Sequence, residues 1–257
     1  MKIVLVGPDG LVGSAFARLF DASGTSYVPV RRADMEAQVG VECDLLINCY
    51  GNANKGWAIA NPQADFAASV SVVAHYTHAI RSACTVHVST IDVYPDTTSI
   101  DGTREDVAID PAALHVYGFH KWMAESYVRR FSERHLVLRV PGLVGPGLRK
   151  NPVFDHFTPG RKLFVSGRSV LNFLHTDDLA RHAMTLVRAE AHGTFNIGAN
   201  EEMEIAALAA ISGRACEYHD GAEANVQTYR FNVSKVAALV ELCDSAAAIR
   251  RFAESRH

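Results

Sequence analysis

The sequence lacks any run of apolar residues long enough to cross a membrane, and it lacks a cluster of basic residues. Its 25 Lys and Arg residues and 28 Asp and Glu residues are interspersed and leave a net charge of −3. These absences predict that neither a bilayer nor a nucleic acid is a partner. The apolar run at the N-terminus ends at Gly7, too soon for a secretory signal, so we expect a cytoplasmic protein.

Cysteine pairs with the spacing of metal ligands are also missing. The five cysteines are odd in number and scattered, at positions 43, 49, 84, 216 and 243. The 12 histidines do not group as ligands either. The sequence therefore predicts reduced, mostly buried thiols and no metal site.

Short apolar runs alternate with helical patterns along most of the chain. Strands are predicted at 2–6, 26–30, 44–49, 85–88, 136–140 and 194–197, and helices at 14–20, 62–83 and about 117–131. A further helix is predicted to begin with Thr176 or Asp177 as its cap, and the Ala-rich residues 200–257 are expected to be helical. This alternation predicts an α/β fold, a Rossmann-type doubly wound parallel sheet.

Proline and glycine interrupt this alternation between residues 148 and 170. A chain of 257 residues allows a large domain with a small additional lobe. We expect a dinucleotide-binding domain formed by residues 1–143 and 171–199. Residues 144–170 and 200–257 would then form a small C-terminal substrate-binding lobe.

The first predicted strand runs into a glycine-rich loop that precedes the first helix. Gly7 permits a tight turn, Gly10 lets the backbone approach a pyrophosphate, and Gly13 lets the helix pack on the strand. Leu11 and Val12 complete the loop at the helix N-terminus, whose free N–H groups suit phosphates. A purely structural strand–helix turn remains the alternative.

Two further strand ends point to the same ligand. The second strand ends in Arg31 and Arg32 where NAD-preferring folds usually carry an acid, which favours the 2′-phosphate of NADP over NAD. Solvated arginines are the alternative, and Asp9 would repel a 2′-phosphate if it points that way. Tyr50, Gly51 and Asn52 follow the third strand at the edge where ligands bind, so we expect them to contact the cofactor.

Tyr117 and Lys121 are four residues apart and therefore share one face of the predicted helix. The ordinary pKa of tyrosine, about 10, is too high for a base at neutral pH, so we expect the Lys121 ammonium to lower it. The pair would then move a proton to or from an alcohol or sugar oxygen. Taken alone, the spacing is also typical of a surface helix.

Four stretches together resemble the extended short-chain dehydrogenase/reductase family, specifically its NAD-dependent epimerase/dehydratase group, which modifies nucleotide sugars. They are residues 7–13, 88–94, 117–121, and 138–146 with 173–178. The resemblance covers residues 1 to about 200. It implies that Thr90 and Tyr117 are catalytic, and that Lys121 bonds the nicotinamide ribose. It also implies cofactor contacts from Ser89 and from Pro141, Gly142, Leu143 and Val144.

Three departures from the family pattern narrow the expected activity. Ile91 and Asp92 stand where related dehydratases carry an Asp–Glu pair, which disfavours dehydration, and Asp92 becomes a substrate-binding candidate. Leu171 replaces an arginine that binds substrate phosphate in most epimerases, and Gly142 replaces a usual asparagine. The remaining substrate candidates are Arg149, Lys150, Asn151, Arg161, Lys162 and Arg168.

These observations lead to one expectation with two alternatives. We expect an NAD(P)-dependent oxidoreductase, with NADP preferred, that acts on a nucleotide sugar or related keto-sugar. A nucleotide-sugar epimerase that recycles bound NAD is the first alternative, and a non-catalytic cofactor-binding sensor is the second. The resemblance also implies a homodimer formed through the 62–83 and Tyr117 helices.

Overall fold

The computed structural model describes residues 1–256, and its centre is a six-stranded, fully parallel sheet in the order β2-β1-β3-β4-β5-β9. The strands are β1 (Ile3–Val6), β2 (Tyr27–Val30), β3 (Val41–Asn48), β4 (Ile80–Thr90), β5 (His135–Val140) and β9 (Gly193–Asn196). The strand order changes direction between β1 and β3, and such switch points bind ligands in open α/β sheets. The predicted Rossmann-type fold class is therefore confirmed.

Helices cover both faces of this sheet. The main ones are α1 (Gly13–Ser23), α4 (Val72–Ala79), α5 (Val116–Phe131) and α7 (Thr176–Arg188). Phe16 and Phe20 of α1 pack with Leu179 and Ala183 of α7 on one face of the sheet. On the other face, α4 places Tyr76 against the valines of β1. Because both faces are covered, β1 is apolar and buried along its whole length.

Shorter elements build the rest of the chain. They are α2 (Lys55–Ala60), α3 (Pro62–Phe66), α6 (Pro152–Phe157), α8 (Leu208–Ser212), α9 (Ser234–Ala237) and α10 (Ser245–Glu254), with the short strands β6 (Gly142–Val144), β7 (Val170–Leu171), β8 (Phe173–His175) and β10 (Met203–Glu204). Segments from 144–173 and 203–252 share a second apolar cluster, against which Leu11 of the glycine loop packs.

Several sequence-based boundaries are wrong. The helix expected at 62–83 ends at Ala79, because Ile80 and the two residues after it pair with β3 as the first part of β4. A π-helical turn, Ala67–Ser71, also interrupts it. The predicted loop after β5 contains β6, which pairs with β8. Helix α7 is capped by the His175 side chain, which accepts from the backbone N–H of Asp177, rather than by Thr176 or Asp177.

Two broader expectations also need correction. Residues 200–256 are mostly irregular, since α8, α9 and α10 are short and separated by loops. Only Cys84 of the five cysteines is buried, whereas the other four are half-buried, and all five are free thiols.

Among residues 1–256, no helix is both long and apolar enough to cross a membrane.

His87 on β4 is an unusual core residue because it is fully buried, with an exposure of 0%. Neither of its ring nitrogens has a hydrogen-bond partner within residues 1–256. Burial lowers the pKa of His87 to about 3, and the nearby Lys121 charge acts in the same direction. The folded protein therefore holds this imidazole neutral over most of the acidic range.

We predict that His87 makes the protein sensitive to acid. In the unfolded chain, His87 is protonated below its ordinary pKa of 6.5. In the folded chain, its pKa is about 3, so His87 stays neutral until the pH falls to about 3. Stability should therefore fall across this window, by up to about 1.4 kcal/mol per pH unit from this residue. Urea unfolding between pH 7 and pH 4 should show a shallower loss for His87→Leu than for wild type. The same change at exposed His192 is the control, and equal slopes for wild type and His87→Leu would contradict the prediction.

Candidate active site

A cleft of about 520 Å³ lies at the switch point of the sheet. It is lined by the glycine loop, the two arginines and the segment after β3, which the sequence analysis had placed together. The members predicted from sequence are Gly7, Gly10, Arg31, Arg32, Tyr50, Gly51 and Asn52. The cleft therefore has the position and composition that a dinucleotide requires.

The glycine loop has no room for side chains at its turning points. Gly7 has a φ of 78°, in the left-handed region that favours glycine. A Cβ on Gly13 would lie 1.9 Å from the carbonyl oxygen of Gly7, so α1 meets the loop backbone directly. This close contact keeps the N-terminus of α1 at the cleft, and its residues fit a phosphate-binding cradle.

The two arginines differ in their surroundings. Arg31 donates from Nε to Asp9 Oδ2 at 2.8 Å, so Asp9 attracts this guanidinium instead of pointing freely into the cleft. Arg32 is exposed, and within residues 1–256 it forms no ion pair. An exposed pair such as Asp9–Arg31 is weak, and a bound anion could compete for the arginine.

The Asn52 side chain stabilises the loop after β3 through hydrogen bonds. Its side-chain Nδ2 donates to Asp65 Oδ1 at 2.8 Å and to the carbonyl of Asn54, while its Oδ1 accepts from the Asn54 N–H. Its own N–H donates to Ser69 Oγ at 3.3 Å. The side chain therefore shapes the edge of the cleft and has little capacity left to bind a cofactor.

The predicted catalytic residues come together beside this cleft. Thr90 ends β4, and Tyr117 and Lys121 lie on successive turns of α5, all three buried. Gly118 makes the approach possible, because a Cβ there would lie 2.1 Å from the Asp92 carbonyl oxygen. Gly118 was not among the predicted site residues, although it lies between Tyr117 and Lys121 in the sequence.

The pKa values of Tyr117 and Lys121 differ from those expected from the sequence. Burial raises the pKa of Tyr117 above its ordinary value, and the Asp92 carboxylate raises it further, while hydrogen bonding with Thr90 opposes them. Burial also lowers the pKa of Lys121 to about 8, against the opposing charges of Asp65 and Glu125. The pKa of Tyr117 is therefore raised in the protein alone, in contrast to the lowering that we expected from Lys121, because burial is the largest effect on it.

Asp92 is the centre of a polar cluster that the sequence did not reveal. Its Oδ1 accepts from Lys55 Nζ at 2.7 Å, from the Tyr229 hydroxyl at 2.9 Å and from His115 Nε2 at 3.3 Å. Thr90 donates to its Oδ2 at 3.4 Å. Burial raises the pKa of Asp92, but the His115 hydrogen bond and the Lys55 charge outweigh it and lower the pKa to about 2.

His115 has a defined orientation in this cluster. Its Nδ1 accepts from the Gly118 N–H at 3.2 Å and caps α5, which leaves Nε2 to donate to Asp92. Its ring is stacked on Tyr117, with 6.3 Å between the centroids. One histidine thus begins the helix that carries Tyr117 and also fixes Asp92.

Ser89 and residues 141–144, which were also predicted to bind the cofactor, contact other parts of the protein. Ser89 donates to Glu125 Oε1 at 2.5 Å, so its hydroxyl is directed into the core. The stretch from Pro141 to Val144 follows β5 at the ligand edge, as predicted. Gly142 packs against Phe173, where a Cβ would lie 2.8 Å from the ring.

The predicted substrate-binding residues are mostly engaged elsewhere. Asn151 caps α6 and donates to the Leu143 carbonyl at 2.9 Å. Arg161 pairs with Asp155 at 3.0 Å, and Arg168 lies 3.8 Å from Glu223. Lys150, Arg149 and Lys162 are all exposed, and Lys150 donates to the Ala53 carbonyl at 2.7 Å, beside the cleft.

A comparison with protein-family models identifies one family. The family model described as the NAD-dependent epimerase/dehydratase family matches residues 3–198. No curated protein matches the sequence significantly.

Solved structures share the fold at low sequence identity. A UDP-galactose 4-epimerase is 20% identical with a TM-score of 0.80, over 100% of this chain and 98% of the other. The UDP-glucuronic acid 4-epimerase from Bacillus cereus, solved with UDP-glucuronic acid and NAD, is 18% identical with a TM-score of 0.78, over 100% of both chains. The dTDP-4-dehydrorhamnose reductase from Bacillus anthracis, solved with NADP, is 12% identical with a TM-score of 0.80, over 100% of this chain and 99% of the other.

We predict that Tyr117→Phe lowers turnover at least about a hundredfold, because general acid–base catalysis typically contributes 10²–10⁴-fold. Cofactor affinity should be retained, since the ring and its packing remain. Tyr127→Phe, the same change further along α5, is the control and should leave turnover intact. Steady-state kinetics together with cofactor titration measure both effects, and a fully active Tyr117→Phe would refute the assignment.

Proposed function

The chain belongs to the NAD-dependent epimerase/dehydratase family, and from this premise we propose that it is an NAD(P)-dependent oxidoreductase that reduces the carbonyl group of a nucleotide-activated sugar or related keto-sugar. The observation that carries the proposal is a buried Tyr117 with a raised pKa beside Thr90. Tyrosine is protonated at neutral pH, and Tyr117 lies with Thr90 where it can donate its proton to a substrate oxygen.

Each residue of the site has one role in the proposed carbonyl reduction. A reduced nicotinamide, when bound, supplies the hydride that forms the new C–H bond. Tyr117 gives its hydroxyl proton to the carbonyl oxygen, which becomes the product alcohol. Thr90 hydrogen-bonds the same oxygen as its charge grows. Lys121 holds the nicotinamide ribose, as the resemblance implies.

The alternative functions rest on weaker support. An epimerase with recycled NAD agrees with the similarity to UDP-sugar epimerases, but at these identities the similarity shows the fold alone. A non-catalytic sensor is disfavoured, because Thr90, Tyr117 and Lys121 are all present and buried together.

Turnover assays with defined probes test the proposal. Purified protein is mixed with NADPH or NADH and dTDP-4-dehydrorhamnose, the keto-sugar named for one structural neighbour. Stoichiometric loss of the reduced-nicotinamide absorbance supports a reductase. Conversion of UDP-glucose to its epimer without added cofactor, accompanied by release of NAD on denaturation, would instead support the epimerase and overturn the reductase.

Basic residues near the cleft are proposed to meet the substrate phosphates. Lys150 lies beside the cleft through its bond to the Ala53 carbonyl, and its ammonium has no carboxylate partner within residues 1–256. A diphosphate left unpaired in a partly buried site would be costly. Lys150→Ala should therefore raise KM for dTDP-4-dehydrorhamnose more than it lowers cofactor affinity.

We also propose a homodimer formed by α4 and α5. His78 and Tyr127 form a hydrogen bond of 2.6 Å between these helices, and the Phe131 ring beside them is 52% exposed. An exposed aromatic group of this kind suits a contact with a second copy. Light scattering at micromolar protein concentration should give the mass of a dimer. A monomeric mass would contradict the proposal.

NADP is the proposed cofactor, and Arg31 and Arg32 lead to a specific prediction about its affinity. Arg31→Ala combined with Arg32→Ala should weaken NADPH binding about tenfold or more while changing NADH binding little, because charge-assisted bonds to the 2′-phosphate are lost. Asp9→Asn should act in the opposite direction, since it frees Arg31. Dissociation constants for both cofactors measure this, and an unchanged ratio in the double variant would show that the arginines are only solvated.

A further inference from the structure

The two oxygens of the Asp92 carboxylate have different surroundings. Oδ1 accepts hydrogen bonds from Lys55, Tyr229 and His115, at 2.7, 2.9 and 3.3 Å. Among residues 1–256, the donor to Oδ2 is the Thr90 hydroxyl alone, at 3.4 Å. A carboxylate oxygen offers about two lone-pair sites. Oδ1 is therefore fully used, whereas Oδ2 has room for a further donor.

Three separate parts of the chain hold this carboxylate in place. Lys55 lies on α2 after β3, His115 caps α5, and Tyr229 belongs to the C-terminal part of the chain. Lys55 also donates to the Tyr229 hydroxyl at 3.0 Å, which closes the cluster. The Asp92 side chain nevertheless keeps an exposure of 16%. The carboxylate is thus fixed in direction but is not sealed inside the core.

The Thr90 hydroxyl connects Oδ2 to the proposed reaction. It accepts from the Asp92 N–H at 3.2 Å and donates to Oδ2 at 3.4 Å, which is long for a bond between a hydroxyl and an oxygen. In the proposed reduction this hydroxyl donates to the carbonyl oxygen of the substrate instead, so Oδ2 loses its donor. An acceptor left without a partner in a poorly solvated place costs free energy. A substrate group that donates to Oδ2 would restore the lost hydrogen bond.

The charges of the cluster limit which substrate group can bind there. Although burial raises the pKa of Asp92, the His115 hydrogen bond and the Lys55 charge lower it to about 2, so the carboxylate is ionised and only accepts hydrogen bonds. A substrate ammonium would be repelled by Lys55, whose Nζ already lies 2.7 Å from Oδ1. A hydroxyl donates without adding a charge and is therefore the group that fits Oδ2.

The distance between Thr90 and Asp92 restricts where that hydroxyl stands on the substrate. Thr90 Oγ1 and Asp92 Oδ2 are within hydrogen-bond distance of each other. A carbonyl oxygen held by Thr90 and a hydroxyl held by Asp92 must therefore lie close together. Oxygens on neighbouring carbon atoms of a sugar meet this condition.

We propose that Asp92 is a specificity-determining residue, which accepts a hydrogen bond from the hydroxyl on the carbon next to the reacting carbonyl. The substrate class is then an α-hydroxy ketone, a keto-sugar whose hydroxyl beside the carbonyl is free. Lys55, Tyr229 and His115 are positioning residues that direct Oδ2 toward this hydroxyl. The inference rests on the proposed function, in which Thr90 and Tyr117 act on the carbonyl oxygen.

Two substrates that differ by one hydroxyl test the inference. In dTDP-4-dehydrorhamnose a hydroxyl stands beside the carbonyl, and the 3-deoxy analogue of this compound lacks it. The wild-type protein should have a kcat/KM at least about tenfold higher for the hydroxylated compound, because the analogue cannot make a hydrogen bond to the charged carboxylate. Loss of reduced-nicotinamide absorbance measures both rates.

Variants then assign this preference to one residue. Asp92→Ala should bring the ratio of the two kcat/KM values close to one, mainly by lowering that of the hydroxylated compound. Asp92→Asn keeps the shape of the side chain without its charge, should also lower the ratio, and gives a second measurement if the alanine variant is unstable. Tyr229→Phe keeps the carboxylate and its Oδ2, so its ratio should stay close to that of wild type. Asp96→Asn, at an exposed carboxylate four residues further on, is the matched control and should change neither rate.

The outcomes separate the inference from the function on which it rests. Equal losses for both compounds in Asp92→Ala and Asp92→Asn, with an unchanged ratio, would overturn the recognition role and leave Asp92 as a structural link. Equal rates for the two compounds in the wild-type protein would also overturn it, while the proposed function would be supported. If the wild-type protein reduces neither compound, the proposed function itself fails and the inference fails with it.

Discussion

The site depends on how closely helix α5 approaches the carboxyl end of β4. Gly118 sets that distance, because any Cβ there would overlap the carbonyl oxygen of Asp92. Thr90, Tyr117 and Lys121 are all buried where the two elements meet, each with an exposure of 7%. Low solvent access strengthens each electrostatic interaction, both helpful and harmful. The pKa shifts of the site are therefore a direct consequence of this packing.

Burying so much charge requires separate compensation for each group. Asp92 is held by Lys55, and Glu125 is held by the buried Arg139. The Glu125–Arg139 pair is buried, and such a pair offers little net stability, but removing one partner leaves an uncompensated charge that is costly. The arrangement therefore restricts which conformations are accessible, because Lys55 and Arg139 each anchor a different element to the α5 region. This restriction keeps the reacting groups in place without contact from a ligand.

Much of the fold and part of the site could be predicted because the signals are local. The glycine loop and the Tyr117–Lys121 spacing each lie within a few residues, and hydrophobic runs place the strands. The Asp92 cluster could not be predicted, since Tyr229 is 137 residues away from Asp92 and belongs to no motif. The end of the 62–83 helix was missed for a related reason. Pairing of Ile80 with Val41 on β3 decides the conformation there, and local propensity does not.

If Tyr117 is the proposed acid–base group, its raised pKa has a consequence for the direction of the proposed reaction. Beside a reduced nicotinamide, which is neutral, Tyr117 keeps its proton because burial and Asp92 both disfavour the phenolate. Beside an oxidised nicotinamide, which is cationic, the phenolate would gain a positive neighbour in a poorly solvated site, where such an interaction is strong. The same residue is then an acid when a hydride is available and a better base when it is not. Under the proposed function, burial of Tyr117 would therefore couple its protonation to the redox state of the cofactor, because its interactions are less screened than those of an exposed tyrosine in water.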